Sequence, residues 1–165
     1  MLLSYLFRRG AKILKYDAHH YNDFLRLKVS FTLWFAILYG VRHFIFMGFS
    51  KLMPDAAASF TWIDVQVNQY LMLADLPAAL VLLAVGHRVP DAFDLMRWIW
   101  LHGKWILLFS YIVFVIFNLK LYITGVASLD LISFVIIPDI LLMIYLFRSE
   151  LISDIFKEFP SKPLG

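Results

Sequence analysis

The chain has no cysteine. That excludes disulfides, thiolate metal centres, iron–sulfur clusters and a cysteine nucleophile. Charge is scarce too: Asp, Glu, Lys and Arg make up 16% of the 165 residues, where a soluble domain carries about 25%. Catalytic signatures are also missing, for neither H-E-x-x-H, G-x-S-x-G, a P-loop nor G-x-G-x-x-G occurs. In their place stands apolar sequence, 62% hydrophobic with 16 Phe and a mean hydropathy of +0.77. These values fit neither a soluble globule, nor a disordered tail, nor a nucleic-acid module, and the length allows about one domain. The sequence reads as an all-α integral membrane protein.

A bilayer core of ~30 Å needs ~20 helical residues. Four runs approach that length, at about 29–49, 70–86, 105–122 and 129–147, and predict a four-helix transmembrane domain over 29–147. Residues 1–28 form a cytoplasmic or interfacial lead-in. There Met1–Phe7 precedes Arg8 and Arg9, the reverse of a signal peptide, and reads as an interfacial helix. The segment Val89–Lys104 has the same character, with Trp98, Trp100 and Trp105 where an aromatic belt would lie. The tail, 148–165, is a cytoplasmic amphipathic segment. Its Leu151, Ile152, Ile155, Phe156 and Phe159 share one helical stripe that Pro160 ends.

Basic residues set the orientation. With both termini cytoplasmic, only Lys51 and Lys120 face outward. Arg8, Arg9, Lys12, Lys15, Arg26, Lys28, Arg88, Arg97, Lys104, Arg148, Lys157 and Lys162 face inward, and Arg42 sits within a span. This is the excess that cytoplasmic loops carry.

Polar residues inside spans are costly, about 2.5–3.5 kcal/mol for a mid-helix charge, so they need partners or water. Arg42 with His43, Asp75, Asn118 and Asp139 lie on four different spans. The helical rise puts them at similar depth, roughly 8–14 Å below the outer surface. They predict an intramembrane polar network with Arg42 held by both Asp75 and Asp139, since a guanidinium donates to two carboxylates at once. Tyr111, Asn118 and Tyr122 share a helix face that could complete it. Pro77 and Pro138, each within two residues of an acid, break the backbone ladder there. Ala36 and Gly40, and Ala74 and Ala78, follow the small-xxx-small spacing that lets helices approach closely. Against a functional network stand interhelical glue, Arg42 snorkelling outward, and a docking site for a partner helix.

Haem requires axial ligands facing each other across a bundle. His43, His87 and His102 are weak candidates, and His19-His20 point apart on a helix. No cofactor and no metal is expected.

Four segments carry a family likeness: Tyr16-Asp17 with Leu25–Lys28, Tyr39–His43, the run Asp75–Pro90 (DLPAALVLLAVGHRVP), and Tyr145–Pro160 (YLFRSELISDIFKEFP). On these the chain resembles the YfeZ-like family of uncharacterised bacterial inner-membrane proteins. The resemblance implies a four-helix protein of a Gram-negative inner membrane and supplies no activity.

The leading expectation is a non-catalytic accessory or assembly subunit of a larger inner-membrane complex, with the lipid bilayer and other membrane subunits as partners and no nucleic acid. One alternative is a small oligomeric transporter or proton/ion channel using Arg42, Asp75 and Asp139. Another is a redox subunit binding haem or quinone.

Overall fold

The computed structural model describes residues 15–21, 27–53, 69–126 and 128–160. The interfacial helix expected at Met1–Phe7 lies outside the described residues. Those described are all-helical apart from an isolated bridge between Tyr21 and Leu27. After a 3-10 turn at Ala18–His20 come α1 (Phe31–Gly40), α2 (Arg42–Leu52), α3 (Gln69–Gly86), α4 (Asp94–Leu101), α5 (Gly103–Ile123), α6 (Leu129–Arg148) and α7 (Glu150–Lys157).

The run expected as one span over 29–49 is two helices bent by 64°. Ser30 starts α1, its hydroxyl accepting the Leu33 N–H at 3.2 Å, a cap worth ~1 kcal/mol. The bend falls at Val41, which leaves helical dihedrals (φ −108°, ψ 17°) and folds its N–H back to Leu38 at 3.2 Å. Pro77 and Pro138, by contrast, lie inside continuous helices.

Helix α5 is the axis of the bundle. It packs along α3 on one side and α6 on the other, and also touches α1, α4 and α7. Its inward residues, Leu107, Tyr111, Phe114 and Asn118, recur at helical spacing and are buried. Its outward residues, Trp105, Phe109, Ile112, Ile116 and Leu119, are equally periodic, equally apolar and exposed. Helix α3 repeats this with Ala74, Ala78 and Val81 inside and Leu73, Leu76, Leu80 and Leu83 outside. A helix apolar on all sides belongs in a core or a membrane. By length and composition α5 can cross a membrane, as can the bent α1–α2 pair if it counts as one span.

Two close approaches fix the packing. A Cβ added at Gly40 would lie 2.9 Å from the Cβ of Ala78, so α1 meets α3 backbone to backbone. A Cβ at Gly103 would run into the ring of Phe156, so α7 folds back over the start of α5. The apolar stripe of the tail therefore faces the protein, with Ile152, Ile155 and Phe156 buried.

Candidate functional site

The site grows out of the break between α1 and α2. A helix end leaves carbonyls without partners, and a helix start leaves N–H groups without partners. Away from water each needs a substitute. Arg42 Nη1 donates to the Tyr39 carbonyl at 3.1 Å. One turn before the break, the Tyr111 hydroxyl, on α5, donates to the Ala36 carbonyl at 2.6 Å and ties α1 to α5. On the other side of the break, the Phe44 N–H donates to Asp75 Oδ2 at 2.9 Å. A carboxylate on α3 thus caps a helix to which it does not belong.

Arg42 and Asp139 form a two-pronged pair. Nη1 and Nη2 donate to Oδ1 and Oδ2, both at 3.0 Å, and both residues are buried. This parallel geometry is the strong form of the arginine–carboxylate contact. The guanidinium also lies 4.3 Å from the ring centroid of Tyr39 and 4.5 Å from that of Phe114, close enough for cation–π attraction.

Asp75 belongs to a different pair from the one expected. Arg42 is bound by Asp139, whereas Asp75 Oδ1 accepts from His43 Nδ1 at 2.7 Å, both side chains being fully buried. The reason is angular. Neighbouring residues on a helix point about 100° apart, so Arg42 and His43 reach opposite flanks. His43 and the first N–H groups of α2 turn toward α3, and Arg42 turns toward α6. The ring of His43 also packs 5.0 Å from Phe114.

Asn118 is buried, but its amide donates to the Phe114 carbonyl of its own helix at 2.9 Å. It supports the Phe114 segment, and its amide does not donate to Asp75 or Asp139. Tyr122, expected on the same face, is exposed. Two contributors carried no charge to reveal them. Tyr39 and Phe114 supply the two rings over Arg42, and the only sequence signal was their i, i+3 and i, i+4 spacing from Arg42 and Asn118. Ser110, donating to the Ala74 carbonyl at 2.7 Å, ties α5 to α3 beside Asp75.

The other histidines stand apart from this centre. His87 and His102 are exposed, and each donates through Nδ1 to the carbonyl four residues earlier, Leu83 and Trp98, at 2.9 Å. Among the described residues no group of three His, Cys, Asp or Glu side chains is placed to hold a metal ion.

A second polar cluster lies at the opposite end of the bundle. Arg88 donates to the carbonyls of Leu27 (3.1 Å) and Glu158 (2.9 Å), and its guanidinium lies 4.8 Å from the Trp100 ring. The Trp100 indole donates to the carbonyls of Ile155 and Glu158. Asp154 accepts from Lys15 and from the Tyr16 hydroxyl, each at 2.8 Å. These bonds hold its carboxyl down at about 2, Lys15 acting most, and raise the Lys15 ammonium above the usual lysine range.

In chemical terms, each of the four oxygens of the two buried acids already accepts from a donor within the chain. The arrangement completes a broken helix and joins α2 to α3 and α6.

Compared with known proteins, the chain matches one family model, described as a protein of unknown function (DUF2919), over residues 16–158. No curated protein matches it. No solved structure matches it either.

Proposed function

Since the chain belongs to DUF2919, a family of proteins of unknown function, its role must come from its own residues, and we propose that it is a four-span protein of the bacterial inner membrane. In this reading both termini are cytoplasmic, and the chain serves as a non-catalytic accessory or assembly subunit of a larger membrane complex. The observation that carries the reading is the double-faced character of α3 and α5, with an apolar stripe inward and a second one outward. Helix α6 shares it, Val135, Leu142 and Leu146 being buried while Ile137, Leu141 and Ile144 are exposed. At 18 and 20 residues, α3 and α6 reach about 27 and 30 Å, enough for the hydrocarbon core. Their acids lower the hydropathy of both helices. Pairing with His43 and Arg42 supplies the partners that charges within lipid require. The inner-membrane location is the one implied by the YfeZ-like resemblance and by the basic residues on one side.

The accessory role rests on the saturation of the acids and on the breadth of the outward apolar surface, which suits helix–helix docking as well as lipid. Purification from native membranes in mild detergent tests it. A stoichiometric membrane partner should accompany the chain, and deleting the chain should impair that partner's assembly. A lone, homogeneous oligomer would overturn the reading.

A transporter or proton/ion channel is the second reading. It is favoured by the broken span and by the proximity of Pro77 and Pro138 to Asp75 and Asp139, since interrupted helices beside acids build transport sites. In proteoliposomes, the wild-type chain would then carry flux, and the fraction of Asp139→Asn that still assembles would not.

A further inference from the structure

A groove of about 760 Å³ runs between the outer faces of α5 and α6. Its walls are Trp105, Phe109 and Ile112 from α5 and Ile144 and Phe147 from α6, over a floor at Leu108. From Trp105 to Ile112 it spans about 10 Å. Arg148 is the single charged residue in its lining and is exposed. Lys104 joins it at that end, its ammonium donating to the Phe147 carbonyl at 3.2 Å. The nearest acid along the chain, Glu150, is paired with Lys15 at 3.3 Å. The groove is thus apolar along its length, with two basic side chains, Arg148 and Lys104, at one end. That end carries the basic excess assigned to the cytoplasmic side, where anionic headgroups attract Lys and Arg.

We propose that this groove holds an acyl chain of an anionic phospholipid of the inner leaflet, with Arg148 and Lys104 binding its phosphate. The inference rests on the four-span reading. The groove is too short for a partner helix to pack along it, and its charge is placed as a lipid's is, at one end of an apolar path. Trp105 reports occupancy from the groove wall.

The test uses the full chain in vesicles of phosphatidylcholine and phosphatidylglycerol. Either lipid is brominated in turn to quench tryptophan emission, and the Trp105 contribution is isolated by difference against Trp105→Phe. Brominated phosphatidylglycerol should quench Trp105 more than brominated phosphatidylcholine at equal mole fraction. Arg148→Gln and Lys104→Gln should each reduce that preference roughly fivefold, and Arg148→Lys should retain most of it. Equal quenching by the two lipids, or a preference unmoved in both glutamine variants, overturns the proposal. A chain that does not float with the vesicles fails earlier and overturns the four-span reading too, so the two failures are distinguishable.

Discussion

Asp75 on α3 accepts the main-chain N–H of Phe44 on α2 at 2.9 Å. In an unbroken helix that N–H would serve the carbonyl of Gly40 four residues earlier. The 64° bend removes this partner, and a carboxylate from the neighbouring helix replaces it. Negative charge at a helix start is also favoured by the partial positive charge there. The same carboxylate holds His43 at 2.7 Å, so one side chain fixes both the direction of α2 and the orientation of its buried histidine.

Asp75→Ala removes the acceptor of the buried His43 Nδ1 and of the half-buried Phe44 N–H, at about 1–3 kcal/mol for each lost bond. Thermal unfolding in detergent should show a large loss of stability. Asp75→Asn should fall between the two, because its amide oxygen can still accept from Phe44. Wild-type stability in Asp75→Ala would mean that the cap does not hold the break.

Arg42 and Asp139 should behave as a unit. Removing one member of a buried pair strands the other charge, at about 3–5 kcal/mol. Arg42→Met and Asp139→Leu should therefore each be severely destabilised, while the double variant should be less so than the sum of the two. A double-mutant cycle by denaturant unfolding measures this coupling. Additive losses would show that the 3.0 Å contacts contribute no joint stability.

The meeting of Gly40 and Ala78 gives a steric prediction. Gly40→Ala places two methyl groups 2.9 Å apart on facing helices, where neither can rotate away, and overpacking costs about 1–3 kcal/mol. Ala78→Gly in the same chain removes one of the two methyls and should recover much of the loss. The melting temperatures of both single variants and the double variant decide it.

How much of this was legible in the sequence depends on the kind of signal. Asp139 and Arg42 are charges within apolar runs, and their cost in lipid makes them conspicuous without coordinates. The partition of partners was not legible, because it depends on which flank of α2 each side chain leaves, and a bend at Val41 changes that flank. The bend has no proline to announce it. Gly40 allows the close crossing, but Val41 ordinarily continues a helix, and the Asp75 carboxylate and the Arg42 guanidinium supply partners that make the interruption tolerable. The tail shows the reverse case. Its amphipathic stripe was plain, yet periodicity does not say whether an apolar face meets lipid or protein. Trp100 and Gly103 decide that, the first by donating to Ile155 and Glu158 and the second by leaving room for Phe156.

The contact of the tail with the N-terminal segment carries an acid dependence. Asp154 accepts from Lys15 and Tyr16 at 2.8 Å, and its carboxyl is held at about 2, below its ordinary range. A carboxyl depressed on folding contributes stability that is complete above its unfolded pKa, about 3.9. It loses that contribution as pH falls through that value toward the folded one. The advantage of the wild type over Asp154→Asn should thus be full at pH 6, shrink below pH of about 4, and vanish near pH 2. Both groups are partly solvated, with Lys15 57% and Asp154 23% exposed, so salt should weaken the effect. Thermal unfolding of both proteins at pH 6 and pH 3, in low and high salt, gives the comparison. An unchanged gap between the two proteins at pH 3 would mean that this carboxylate does not fasten the tail.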